Sequence, residues 1–133
     1  MTRQLSLADV LALSAEALRA TGSGPAQFRG GGEGLLESAV MRPQMAEYYE
    51  QADLIRQAAL LMVGISQAQA LVDGNKRTAY HSMLVFLRVN GCTVPLEDGG
   101  LALAHQLELV AERADSLDAA TDRVEVWLRA RVT

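Results

Sequence analysis

The sequence predicts an all-α domain: a helical bundle around one apolar helix at about residues 75–90, with a short flap segment at its edge. Three observations predict it. Half of the 133 residues are hydrophobic yet only 5% are aromatic, and Ala and Leu, good helix formers, dominate. Apolar residues recur at helical spacing and seldom alternate with polar ones as a half-buried strand requires. Proline is scarce, with three residues. This length suits one core, so residues 1–133 are read as a single domain.

Taken in order, Ser6 is an N-cap with Asp9 three residues on, and Leu7, Val10, Leu11, less regularly Leu13, and Leu18 give the following helix an apolar face to about Ala20. Thr21-Gly22-Ser23-Gly24-Pro25 stops it, and a glycine-rich loop runs on to Gly34. Gly34–Val40 reads as a short helix that ends before Pro43. Met45–Gln51 is ambiguous between helix and an exposed flap. From about Asp53 to Gln69, Leu54, Ala58, Leu61, Met62 and Ile65 keep helical spacing. The next helix, about Asn75 to Asn90, is apolar nearly all round, which places it at the centre of the bundle. Gly91 is its C′ residue. Thr93–Leu96 is a short extended piece. Gly100 to about Arg113 and Leu117–Arg131 close the bundle, the second capped by Ser116 and anchored by Trp127.

Bulk properties narrow the function. A net charge of −4 and a pI near 5.1 lack the basic face of a general nucleic-acid binder. Cys92 is the one cysteine. It forms no internal disulfide and no thiolate metal site, and reads as a half-buried filler between Gly91 and Thr93. The first residues show no secretory signal, and the apolar stretches are broken by Arg, Gln or Asn, so no membrane span is expected. A cytoplasmic protein is the expectation.

Chemistry concentrates in Asp73-Gly74-Asn75-Lys76-Arg77, which ends a loop and opens the apolar helix. Backbone amides at a helix N-terminus are unpaired and the helix dipole favours an anion there. Gly74 lets backbone approach a phosphate without a side-chain clash. Asn75 offers an amide donor, and Lys76 and Arg77 offer charge, with the arginine fork matched to phosphate oxygens. Asp73 suits a Mg²⁺ ion that bridges phosphates. The plainer reading is a capped helix, with Asp73 as the capping acceptor and two solvated cations. No P-loop pattern occurs.

The run Gln69-Ala70-Leu71-Val72-Asp73-Gly74-Asn75-Lys76-Arg77-Thr78-Ala79 resembles the motif of the Fic/Doc (Fido) family, His-Pro-Phe-x-Asp-Gly-Asn-Lys-Arg-Thr-Ala, most nearly in its death-on-curing (Doc) branch. Gly34–Ala39 with Arg42-Pro43-Gln44, then Phe86–Gly91, then Trp127-Leu128, resemble further parts of that family, so the likeness covers nearly the whole chain. It implies a Fido-type bundle and a toxin of a toxin–antitoxin pair. The activity it implies is ATP-dependent transfer of phosphate, or of a nucleotidyl group, to a protein hydroxyl. ATP and Mg²⁺ follow as cofactors. Asp73 corresponds to the metal-holding acid, Gly74 and Asn75 to the anion hole, and Arg77 to the phosphate clamp. A lysine at the position of Lys76 accompanies phosphate transfer in the Doc branch. Tyr80 stands where a second arginine is usual. A separate antitoxin of the prevent-host-death type is the implied partner, and elongation factor Tu the implied target.

One position departs. Where the family places its general-base histidine this chain has Gln69, whose neutral amide neither takes up nor releases a proton near neutral pH. Impaired turnover is the expectation, and a catalytically silent domain that binds nucleotide or a partner is the alternative. His81, a turn into the helix beyond Arg77, reads as a core-edge residue, and His105 as a surface residue.

Overall fold

The structure is a computed structural model that describes residues 2–20, 22, 26–96, 98–112 and 116–133. Its helices are α1 (Leu7–Ala20), α2 (Gly32–Glu50), α3 (Leu54–Ala68), α4 (Asn75–Val89), α5 (Leu101–Ala111) and α6 (Leu117–Arg129). Among the described residues the β-structure is a single antiparallel bridge, Phe28 to Leu71. The all-α class and the bundle are as expected. The stop expected at Thr21–Pro25 lies outside the described residues except for Gly22, and so does Arg113.

The caps read from the sequence form as hydrogen bonds. Asp9 N donates to Ser6 Oγ at 3.1 Å and Ser6 N to Asp9 Oδ2 at 2.9 Å, so each residue pairs one free donor of the other. Ser116 accepts from Ala119 N at 3.1 Å to open α6; Asp53, read from the sequence only as the start of its helix, accepts from Arg56 N at 2.9 Å and caps α3. Beyond α4, Cys92 N donates to Leu87 O (2.9 Å) and Gly91 N to Arg88 O (3.0 Å), with Gly91 at φ 85°. That pair of bonds is a Schellman end, which requires the left-handed residue that glycine supplies. Thr93 and Thr133 exchange both backbone hydrogen bonds, at 3.0 and 2.9 Å, which gives the expected extended piece a partner.

Two expectations change. The helix that begins near Gly34 does not stop before Pro43; α2 runs to Glu50 with Pro43 inside it. Proline there removes the bond to the Ala39 carbonyl, but Leu36, Ala39, Val40, Pro43 and Ala46 are all buried, so packing of one face outweighs the local cost. Met45–Glu50, ambiguous in the sequence between helix and an exposed flap, are therefore the last turns of α2. The extended edge segment lies earlier, at Gln27–Arg29.

The second change concerns the centre. α4 forms as expected, but it exposes Lys76, Arg77, His81, Arg88 and Val89. α3 is the more enclosed helix. It packs against α2, α4, α5 and α6 and buries every residue from Ala58 to Ser66 except Leu60. Phe86, Met83 and Leu87 of α4 meet Leu61, Met62 and Ile65 of α3 in one core. Dense packing of this kind fixes the end of α3 relative to the start of α4. α1 crosses α4, and Asn90 holds the segment before it: Arg3 N donates to Asn90 Oδ1 (2.7 Å) while Asn90 Nδ2 donates to Arg3 O (2.9 Å). α6 is tied to the start of α3 by Arg129 on Asp53 (2.7 Å) and by Arg56 on Asp122 (2.6 Å) and Glu125 (3.1 Å). No helix among the described residues is long and apolar enough to cross a membrane.

Candidate functional site

The end of α3, the loop behind it and the first turn of α4 enclose a cleft of about 440 Å³ lined by Leu18, Arg29, Gln69, Val72, Asp73, Gly74, Asn75, Lys76 and Arg77. All six site residues read from the sequence meet there. Arg29 joins them unannounced.

The helix start is open. Gly74 is the N-cap of α4 at φ 84°, with no side-chain cap. Thr78 N donates to Gly74 O at 2.9 Å, so the helix's own bonding begins at Thr78 and the amides of Asn75, Lys76 and Arg77 have no intrahelical acceptor. Asp73 does not cap them: its Oδ1 accepts from Gly74 N at 2.8 Å. Of the capped-helix reading, the part that makes Asp73 the acceptor for these first-turn amides does not hold. Gly74 is needed here for two reasons, its left-handed backbone and the Leu18 Cδ2 that an added Cβ would approach to 3.1 Å.

Asn75 is committed to the loop. Its Oδ1 accepts from Leu71 N at 3.0 Å and its Nδ2 donates to Leu71 O at 2.9 Å. Leu71 is buried, so the asparagine satisfies both backbone groups of a residue that water does not reach. The donor that the sequence offered to a ligand thus shapes the loop, and the donors left open at the helix start are the backbone amides.

Gln69 closes α3 in the left-handed region at φ 49°, ψ 40°. Its Nε2 donates to Ser66 O at 2.8 Å, satisfying a terminal carbonyl of α3. Its Oε1 lies 3.5 Å from Asn75 Nδ2, at the far limit of a hydrogen bond. No histidine lines this cleft. His81 is exposed, not at the core edge, with its ring edge-on to Tyr80 at 4.9 Å. It lines a neighbouring cleft of about 490 Å³ between α1, α4 and α5. His105 is exposed as expected.

The cations differ in their engagement. Lys76 Nζ meets Glu108 Oε1 of α5 at 2.8 Å, a pair that local sequence cannot show. Arg77 makes no hydrogen bond or ion pair among the described residues and faces both clefts. Arg29 comes from the extended segment before α2. Arg29 N donates to Ala70 O and Val72 N to Gln27 O, each at 2.9 Å, and Arg29 Nε donates to Leu71 O at 3.2 Å. Gly32 seats this segment: a Cβ there would lie 2.1 Å from Ala70 O. The glycines around Arg29 were legible as a loop, but nothing in local spacing announced its pairing with residues some forty positions away.

The arrangement suits an anion, with unpaired helix amides and three cations around one concave space. Asp73 is the carboxylate on the cleft, and no group of three metal-binding side chains occurs among the described residues. This donor set fits Mg²⁺ held by one carboxylate together with a ligand's phosphates, and does not fit an all-protein metal cage.

A family model described as Fic/DOC matches residues 4–87, well over half of the chain. The chain belongs to the Fic/DOC family. Over 60 residues it is 47% identical to a protein named Toxin Doc from Mycolicibacterium smegmatis (strain ATCC 700084 / mc(2)155), a stretch that covers 44% of this chain and 46% of that toxin. The matched stretch thus spans less than half of that relative's length. All the lining residues of the main cleft fall inside the part matched to the family.

Proposed function

We propose that this Fic/DOC chain is a Doc-like toxin component of a toxin–antitoxin pair, a cytoplasmic domain that binds the phosphates of ATP with Mg²⁺ in the 69–77 cleft. Its transfer of phosphate, or of a nucleotidyl group, to a protein hydroxyl is impaired by Gln69. The observation that carries the reading is the uncapped start of α4 inside a cleft lined by Arg29, Lys76, Arg77 and Asp73. Family membership and similarity to a Doc toxin support it. An antitoxin of the prevent-host-death type as partner and elongation factor Tu as target are carried over from the family.

In this reading the amides of Asn75 to Arg77 hold phosphate oxygens, and Arg77 clamps them with its fork. Asp73 Oδ2, free of the bond that Oδ1 makes to Gly74, holds the metal. Bound ATP and Mg²⁺ supply the transferable group and neutralise its charge. Gln69 is in the family's base position. It hydrogen-bonds but takes up no proton, so the roughly 10²–10⁴-fold contribution of a general base is lacking. Its Nε2 is already engaged by Ser66 O, which favours a domain that binds nucleotide and turns it over slowly or not at all.

The test is labelling of a candidate target with ATP carrying label in either the γ- or the α-phosphate, using this chain and its Gln69→His variant. Label gained with the histidine variant, and weak or absent without it, is the expected outcome. Strong labelling by the chain as it stands contradicts the impairment. Failure of both proteins contradicts the transferase reading.

A further inference from the structure

We propose that Arg29 is a phosphate-binding residue of this cleft, brought there by the pairing of Gln27–Arg29 with the loop at Ala70–Val72; the inference rests on the phosphate-site reading above. Three side-chain cations line the cleft, but they are not equally available. Lys76 ends on Glu108 at 2.8 Å. Arg29 uses its Nε on Leu71 O, which leaves the two terminal nitrogens of its guanidinium without a partner among the described residues. Together with Arg77, it is thus one of two open guanidinium groups on the cleft.

Arg29 is exposed, but it is anchored at its backbone. Its backbone is fixed from both sides, by Arg29 N on Ala70 O and by Val72 N on Gln27 O. The chain beyond it is seated by Gly32, where Ala70 O leaves no room for a Cβ. The bond from Arg29 Nε is not required to satisfy Leu71 O, which already accepts from Asn75 Nδ2 at 2.9 Å. Its effect is to orient the guanidinium. A planar fork held at one nitrogen, with its other two open to a cleft that also contains free helix amides, matches bidentate contact with phosphate oxygens. Much of the ordering that a long side chain otherwise loses on binding is already in place.

Calorimetric titration with inorganic tripolyphosphate, ATP and adenosine tests this on the wild-type chain and on Arg29→Gln, Arg29→Lys and Arg77→Gln. Loss of one charged hydrogen-bonding partner predicts about ten- to a hundredfold weaker tripolyphosphate and ATP binding in Arg29→Gln. Partial recovery in Arg29→Lys and a shallower dependence on salt are expected with it, while adenosine is unaffected. Wild-type affinity in Arg29→Gln, with Arg77→Gln weakened, overturns the role of Arg29 and leaves the phosphate site standing. Equal weakening toward adenosine and tripolyphosphate, or an unchanged salt dependence, shows a structural role only and overturns it too. Absence of tripolyphosphate and ATP binding by the wild-type chain overturns the phosphate-site reading and the inference together.

Discussion

Replacing Asn75 by alanine removes both hydrogen bonds that fasten the loop at Leu71, one of 3.0 Å donated by its N–H and one of 2.9 Å accepted by its carbonyl. The two losses are unequal. Leu71 is 1% exposed, so its N–H is left buried without an acceptor, at a cost of about 1–3 kcal/mol. Its carbonyl keeps Arg29 Nε at 3.2 Å, so that loss is near the ordinary net value of about 1 kcal/mol. Alanine returns a few tenths through better helix propensity. The balance is a loss of roughly 2–4 kcal/mol, which for a chain of 133 residues lowers Tm by roughly 7–14 °C. Asn75→Asp keeps the acceptor for Leu71 N and loses only the donor, so it should melt between the two. Thermal melting followed by circular dichroism, checked against urea unfolding, measures both. An Asn75→Ala protein that melts within about 1 kcal/mol of wild type, yet binds tripolyphosphate more weakly, refutes the reasoning and returns the amide to the ligand.

Gly32→Ala places a Cβ against Ala70 O and should cost about 1–3 kcal/mol or more, with faster hydrogen exchange at the Arg29 and Val72 amides; unchanged exchange there contradicts the seating role of Gly32. Glu108→Gln breaks an exposed ion pair, so Tm should move little while tripolyphosphate affinity rises severalfold as Lys76 is released; a fall in affinity shows that Glu108 positions the lysine instead. Burial raises the Asp53 carboxyl, but the Arg56 amide and the Arg129 guanidinium outweigh it and hold the group below its ordinary value of 3.8. Because the folded pKa is the lower one, the stabilisation is fully present above that value and is lost as pH falls through the folded pKa. Acid unfolding should therefore be steeper in the wild-type chain than in Asp53→Asn; identical curves contradict a stabilising network at that end of α3.

What was legible in the sequence is local. Ser6 with Asp9, Gly91 and Ser116 each act within four residues of their own position, and each makes the expected bond. The cleft was legible for the same reason, since Gln69 to Arg77 are nearly contiguous and bring their own amides. Pro43 misled because its intrinsic cost is visible in sequence and the buried face that offsets it is not. The relative enclosure of α3 and α4 depends on how many neighbours each meets, which periodicity alone does not give. Arg29, Glu108 and the commitment of Asn75 to Leu71 were hidden for related reasons. Arg29 reaches the cleft and Glu108 reaches Lys76 from distant segments, and Asn75 offers the same donor whether it faces a ligand or a carbonyl.

The central claim is that the open start of α4 receives a polyphosphate. Amide chemical shifts of the labelled protein, followed during titration with ATP and Mg²⁺, test it most directly. Saturable shifts centred on Gly74, Asn75, Lys76 and Arg77, extending to Arg29, are expected, together with their loss in Arg77→Gln. Saturable shifts confined to other helices, or none at these amides, contradict it.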